Sequence, residues 1–252
     1  MDFKDLRLRE LGIDTSKLGR IVTFVDFGNV NKWFSEDVWR PDGTLMSENE
    51  QLMINIENLS SFIDQFSSKK FFYYGIDPSN PGSLHIKVLA ERFGFRYVTK
   101  TIQWIKHHLP LEEKDAYQTV YKKGIGRDDK GIYINIPKCN FDVELCLDAM
   151  RLIDEYDTIC LFSSDSDFHL LLKYLRKMGK KVILIKGGHI SSHLKSCADI
   201  LINAQRIKSD IVSVKQKKPT GDSRKQKGLY LSKAQISDPS PRAGQVKLAK
   251  EA

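Results

Sequence analysis

Four aspartates of this sequence stand where a hard cation could be held: Asp26, Asp142, Asp165 and Asp167. Asp165 and Asp167 are separated by one residue in Ser163-Ser-Asp-Ser-Asp-Phe168. Carboxylates so close repel, and either a bound cation or a raised pKa relieves the repulsion. An N-cap and a helix-dipole partner would explain one of them comfortably and both less well. Asp26 closes an apolar run in Val25-Asp-Phe-Gly-Asn29, where the glycine and asparagine allow a sharp turn. Taken alone, Asp26 reads equally well as a plain helix cap. Asp142 opens a helical pattern in Lys138-Cys-Asn-Phe-Asp142. Asp148 follows on the same helix, about 240° around the axis and about 9 Å along it, so one ion would not readily take both. It is expected either to support a ligand from behind or to be solvated. An all-oxygen set of this kind suits Mg²⁺ or Mn²⁺, which take one or two carboxylates plus waters and substrate phosphate oxygens. The matching chemistry is metal-assisted phosphodiester hydrolysis, with no histidine or serine nucleophile required.

These acids need elements to carry them. Arg20-Ile-Val-Thr-Phe-Val-Asp26 is apolar on both faces, which predicts a buried parallel strand ending on Asp26. Further strands are expected at 70–76, about 96–104, 158–162 and 181–186, with an edge strand at 199–202. Helices are expected at 3–12, 54–66, 77–93, 141–156 and 167–178, with a short one near 193–197. Within the helix from Phe141, the residues Val143, Leu147 and Met150 trace one apolar line. Residues 106–138 break the rhythm and read as an inserted hairpin, with Tyr117–Lys123 inside it. Alternating strands and helices give an α/β fold, a Rossmann-like parallel sheet sandwiched by helices. In such a sheet ligands bind beyond the C-terminal strand ends, which is the edge where all four acids are expected.

Charge divides the chain. The net +8 is concentrated from Lys208 onward, where eleven Lys/Arg face four Asp/Glu. The expected organisation is a helical extension over 1–19, a main domain over 20–207 and a basic tail over 208–252. Disorder is expected beyond about Val214, from a Lys-, Ser-, Pro- and Gln-rich composition. A basic tail on a near-neutral body suits an electrostatic arm for a polyanion, although a solubilising end has the same composition. The start of the chain is charged where a secretory signal would be apolar, and the apolar runs are too short to span a bilayer. A cytoplasmic protein with no membrane partner is expected. Cys139, Cys146, Cys160 and Cys197 form no C-x-x-C pair and read as buried, reduced thiols.

In their order and placement, Asp26-Phe-Gly-Asn29, Lys138-Cys-Asn-Phe-Asp-Val-Glu-Leu-Cys-Leu-Asp148 and Ser163-Ser-Asp-Ser-Asp-Phe168 resemble the NYN domain. This is the LabA/DUF88-like branch of the PIN-like ribonuclease superfamily. Ser192-His-Leu-Lys-Ser-Cys-Ala-Asp-Ile-Leu-Ile202 is similar to that family's closing segment. The resemblance covers about Ile21 to Ala204. It implies a PIN-like fold and makes Asp26, Asp142, Asp165 and Asp167 the catalytic, metal-binding acids. Asn29 would hold Asp26 or a phosphate, Ser163 would shape the site, and Lys138 and Asp148 would support it. Ser164 stands where the family usually has glycine, which would crowd the loop. The 106–138 insertion exceeds what a minimal NYN domain needs and suits a substrate arm or a dimer contact.

Other enzyme classes are disfavoured. Gly28 occupies the position where a haloacid-dehalogenase phosphatase needs its second aspartate. The sequence has no G-x-G-x-x-G after the first strand, no G-x-x-x-x-G-K-[ST] and no G-x-S-x-G. The function expected is a divalent-metal-dependent ribonuclease cutting RNA, with single strands favoured. The rival is a catalytically silent RNA-binding or partner-binding scaffold of the same fold. Neither reading excludes a homo-oligomer.

Overall fold

The computed structural model describes residues 3–109 and 125–217. They fall into two units: a main one of residues 3–105 and 137–217, and a smaller one within 106–136.

The chain enters through α1 (Phe3–Glu10) and α2 (Thr15–Leu18), which bring Leu8, Leu11, Ile13 and Leu18 into the core. Strand β1 (Ile21–Asp26) follows and runs into the single turn α3 (Phe27–Val30). Next come β2 (Glu50–Ile54), α4 (Ile56–Ile63), β3 (Lys69–Tyr73), α5 (Pro81–Arg92) and β4 (Arg96–Val98). Strands β5 (Gln103–His108), β6 (Ile125–Asp128) and β7 (Gly131–Lys138) form a separate three-stranded sheet ordered β5-β7-β6. The chain then continues through α6 (Asp142–Arg151), β8 (Thr158–Phe162), α7 (His169–Lys177) and β9 (Lys181–Lys186). It ends in α8 (Ser192–Lys195), β10 (Ile200–Asn203), α9 (Lys208–Ile211) and β11 (Val212–Gln216).

The main sheet has six strands in the order β10-β9-β8-β1-β3-β4, every pair parallel. Side chains alternate across it, as the twofold period of a strand requires. Val22 and Phe24 of β1 join Phe71, Tyr73, Ile159, Leu161, Val182 and Leu184 in one core, under α6 and α7. Ile21 and Val25 join Phe72, Cys160, Phe162, Ile183 and Ile185 in the other, under α4 and α5. Both faces are covered, so the central strands carry apolar residues on both sides, with Thr23 and Thr158 the buried polar exceptions in β1 and β8.

Four local expectations are corrected. The strand foreseen at 96–104 is two strands in different sheets, because only three residues of β4 pair with β3 before the chain leaves. Residues 50–54, not foreseen as a strand, form β2, and Asn55 then caps α4 by accepting from the Asn58 N–H. The tail foreseen from Lys208 begins instead with structure: β11 pairs antiparallel with β2, and Ile211 and Val212 are buried. Composition hid this, because polar Ser213, Lys215 and Gln216 interrupt a strand that needs few apolar anchors. On α6 the buried line is Leu145 and Ala149, continuing from Phe141, whereas Val143 and Leu147 face solvent. Residues 110–124 and 218–252, with the Tyr117–Lys123 stretch and most of the segment expected to be disordered beyond about Val214, lie outside the described residues, whereas Val214–Gln216 belong to β11. The cysteines are free thiols, Cys160 and Cys197 buried, Cys139 and Cys146 only half-buried.

Candidate active site

From β1 the chain first moves outward to β3 and β4, then returns to lay β8 on the other side of β1. The direction of winding therefore reverses between β1 and β8, and the crevice beyond their C-terminal ends is where open α/β sheets bind ligands. Asp26 is the last residue of β1, and Ser163 directly follows β8.

The two strand ends are tied together. Ser163, fully buried, donates from Oγ to Asp26 Oδ2 at 3.0 Å and accepts from the Asp165 N–H at 3.1 Å. The Asn29 N–H reaches Asp26 Oδ1 at 3.4 Å, so Asp26 also caps α3. Asp165 Oδ1 accepts from the Asp167 N–H at 3.1 Å and caps the 3-10 turn Ser166–Phe168. Asp26 and Asp165 thus each use one oxygen to cap a local turn. Asp142, at the first turn of α6, is clasped by Asn140, whose Nδ2 donates to Oδ2 at 2.6 Å. Asn140 Oδ1 in return accepts from the Asp142 N–H at 2.7 Å.

Burial pushes the Asp26 carboxyl up from 3.8 to about 6, against the stabilising hydrogen bonds from Ser163 and Asn29. The charges of Asp165 and Asp142 push it further in the same direction. Three of the four acids are therefore coupled through space. Asp167 is exposed on the 3-10 turn.

Asn29 holds Asp26 through its backbone N–H, and its side chain has further partners. Its side-chain Oδ1 accepts from Trp33 Nε1 at 2.8 Å and from the Ser164 N–H at 3.0 Å, binding α3 to the acidic loop. Ser164 does not crowd that loop: its Oγ donates to the Gly187 carbonyl at 2.7 Å and accepts from the Gly187 N–H at 3.0 Å. Trp33 stacks on Phe162 and lies so close to Gly187 that a Cβ there would penetrate its ring. Trp33, Gly187 and Asn140 were missed from sequence. An Asn two residues before Asp142 was the readable signal for one of them, whereas Trp33 and Gly187 meet only in three dimensions. Asp148 faces the sheet, accepting from the buried Tyr73 hydroxyl at 2.9 Å, with Arg151 at 3.5 Å. Burial and this carboxylate hold the Tyr73 hydroxyl far above its ordinary value. Lys138 is exposed at the end of β7.

Among the described residues, no three His, Cys, Asp or Glu side chains are grouped closely enough to enclose one metal ion. An ion of the Mg²⁺ type needs only one or two carboxylates and fills the remaining positions with water and phosphate oxygens. The donor set fits that ion in kind, since Asp26 and Asp165, linked through Ser163, offer oxygen only.

The NYN domain family model matches residues 20–205, from the start of β1 through the end of β10. The chain belongs to the NYN domain family. NYN domains are part of the PIN-like nuclease superfamily, whose members generally use divalent metals. The chain is similar to the low amplitude and bright protein LabA of Synechococcus elongatus, 29% identical over 83 residues. That match covers 32% of this chain and 45% of LabA, less than half of the relative. A crystal structure of a Vibrio parahaemolyticus protein of unknown function shares the fold, with a TM-score of 0.51 and 19% identity. It covers 77% of this chain and 96% of that one. The NYN match includes Asp26, Asp142, Asp165 and Asp167 and leaves out α9 and β11. Among the described residues, no helix is long and apolar enough to cross a membrane.

Proposed function

We propose that this NYN domain is a divalent-metal-dependent ribonuclease that hydrolyses single-stranded RNA at the crevice between β1 and β8. The observation that carries this reading is the Asp26–Ser163–Asp165 chain of hydrogen bonds across the switch point, with Asp142 close enough to act on Asp26 electrostatically. Asp26 and Asp165 would hold Mg²⁺ or Mn²⁺, with Asp142 and Asp167 as further carboxylates around it. When bound, such a cation activates water and neutralises charge developing on the scissile phosphate.

The chain's own residues prepare that event. Ser163 orients Asp26 and is itself fixed by the Asp165 N–H, so the three groups keep one geometry. Asn140 holds Asp142 in a single orientation. Asn29, Trp33 and Gly187 fix the backbone of the acidic loop from behind. A proton on Asp26 competes with the cation, so activity should fall on acidification through a pH of about 6. Lys138, beside the Asp142 helix, and the basic tail can meet phosphates.

The test is incubation of purified protein with end-labelled single-stranded RNA, with Mg²⁺ or Mn²⁺ and with EDTA. Products that form with metal and vanish with EDTA support the nuclease. RNA that is bound but stays intact in every condition supports the silent scaffold instead.

A further inference from the structure

We propose that Lys208 is a positioning residue for the acidic crevice, acting through Asp37 and the wound segment that starts at Asp26. This rests on the reading of that crevice as the functional site. Residues 27–37 form a run of single turns. Asp26 opens the run by accepting from the Asn29 N–H. The N–H groups of Asn31, Lys32, Trp33, Ser35 and Asp37 then donate to the carbonyls of Phe27, Asn29, Val30, Lys32 and Phe34 in turn. Phe27, Val30 and Phe34 are buried, while the Asn29 side chain, bonded to Trp33, reaches the loop that carries Asp165. Tight turns of this kind have poorer hydrogen-bond geometry than a regular helix and little cooperativity of their own. Such a segment keeps one geometry only if its far end is held.

Asp37 is that far end. Lys208 Nζ meets Asp37 Oδ2 at 2.8 Å and also donates to the Trp39 carbonyl. Gln205 Nε2 adds a bond to Asp37 Oδ2 at 3.0 Å. Lys208 is only 8% exposed, and its support is firm. Ile207 and Ile211 beside it on α9 are fully buried, and the Ile211 carbonyl accepts from the Asn55 N–H at 2.9 Å. A lysine so buried is costly unless paired, and an apolar side chain would serve packing as well. What the ammonium adds is direction: it fixes a carboxylate and a carbonyl together, and with them one arrangement of the segment. The segment's other end is Asp26. Lys208 lies beyond the residues 20–205 that match the NYN family model, so the family likeness does not supply this strap.

Residue-resolved amide exchange on the full chain in EDTA tests this without metal or RNA. In Lys208→Met the Asn29, Ser164 and Asp165 amides should exchange about tenfold faster or more, while those of Val182 to Ile185 in β9 change less. Lys208→Met combined with Asp37→Asn leaves no unpaired buried charge, which protects the fold, and should show the same selective change. Lys208→Arg keeps the charge and should stay near wild type. Mn²⁺ affinity, measured by electron paramagnetic resonance, should fall in the two Met variants and hold in Lys208→Arg. Unchanged crevice amides, or equal acceleration in the crevice and in β9, would reduce Lys208 to a stabilising contact and overturn the proposal. Selective acceleration with Mn²⁺ bound as tightly as by wild type would overturn it too. A wild-type chain that binds no Mn²⁺, with the selective change in exchange still present, would defeat the metal reading of the crevice and support the positioning by Lys208.

Discussion

Asp26 is the residue on which stability and chemistry pull apart. Its carboxyl is raised from 3.8 to about 6 by burial, so between those values the folded chain keeps a proton that the unfolded chain releases. Stability therefore falls as pH rises through that window, and Asp26 is a net cost near neutrality. The full shift corresponds to about 3 kcal/mol. Asp26→Asn removes the charge but sets an amide against one of two donors, so near neutrality it should gain about 1–2 kcal/mol. Urea unfolding checks this: the gap between variant and wild type should widen as pH rises through the window. A gap independent of pH would contradict the assignment. Added Mn²⁺ should raise the melting temperature of wild type and leave that of Asp26→Asn nearly unmoved.

At the scale of elements, β1, β8 and their loops are held by contacts that look minor one by one. Gly187→Ala drives a methyl into the Trp33 ring and so disturbs the Trp33–Asn29–Ser164 links. It should cost about 1–3 kcal/mol and lower cleavage, measured by thermal unfolding and single-turnover rates. Deleting everything after Ile207 removes β11 and the buried Ile211 and Val212. That cut should destabilise by about 3 kcal/mol or more, whereas a cut after Lys217 should leave the melting temperature unchanged. Equal melting temperatures for the two truncations would refute the role of β11. The two-faced apolar strands β1, β8 and β9 were legible from sequence because burial on both sides leaves no alternation to misread. Helix α6 was legible as a helix, but its inward face was not. It has two apolar lines, and only the neighbouring Tyr73 and Tyr156 decide that Leu145 and Ala149 turn inward. The positions of the acids at strand ends and turns were legible because turn residues mark those ends. The groups that brace them, Trp33 and Gly187, are far apart in sequence and carry no local signal.

The whole molecule combines a neutral NYN domain with a basic C-terminal segment. Residues 218–252 hold eight Lys/Arg against three Asp/Glu, a net +5. Removing them should weaken RNA binding at low salt and flatten its dependence on salt, since each phosphate no longer neutralised takes away about one unit of slope. Equal affinity and slope with and without them, in a filter-binding titration, would make the segment a bystander. Whether the domain they serve cuts RNA is the central question, and Asp165→Asn addresses it most directly. Asparagine can still accept from the Asp167 N–H and cap the turn, so the fold should hold at wild-type stability or slightly above. RNA affinity should persist or rise, because less negative charge faces the phosphates. The decisive measurement is the cleavage rate of this variant at saturating Mn²⁺ beside wild type. A metal-holding Asp165 requires a fall of orders of magnitude in a fully folded, RNA-binding protein. A variant that cleaves at the wild-type rate, or that loses cleavage only in parallel with its stability, would refute that role.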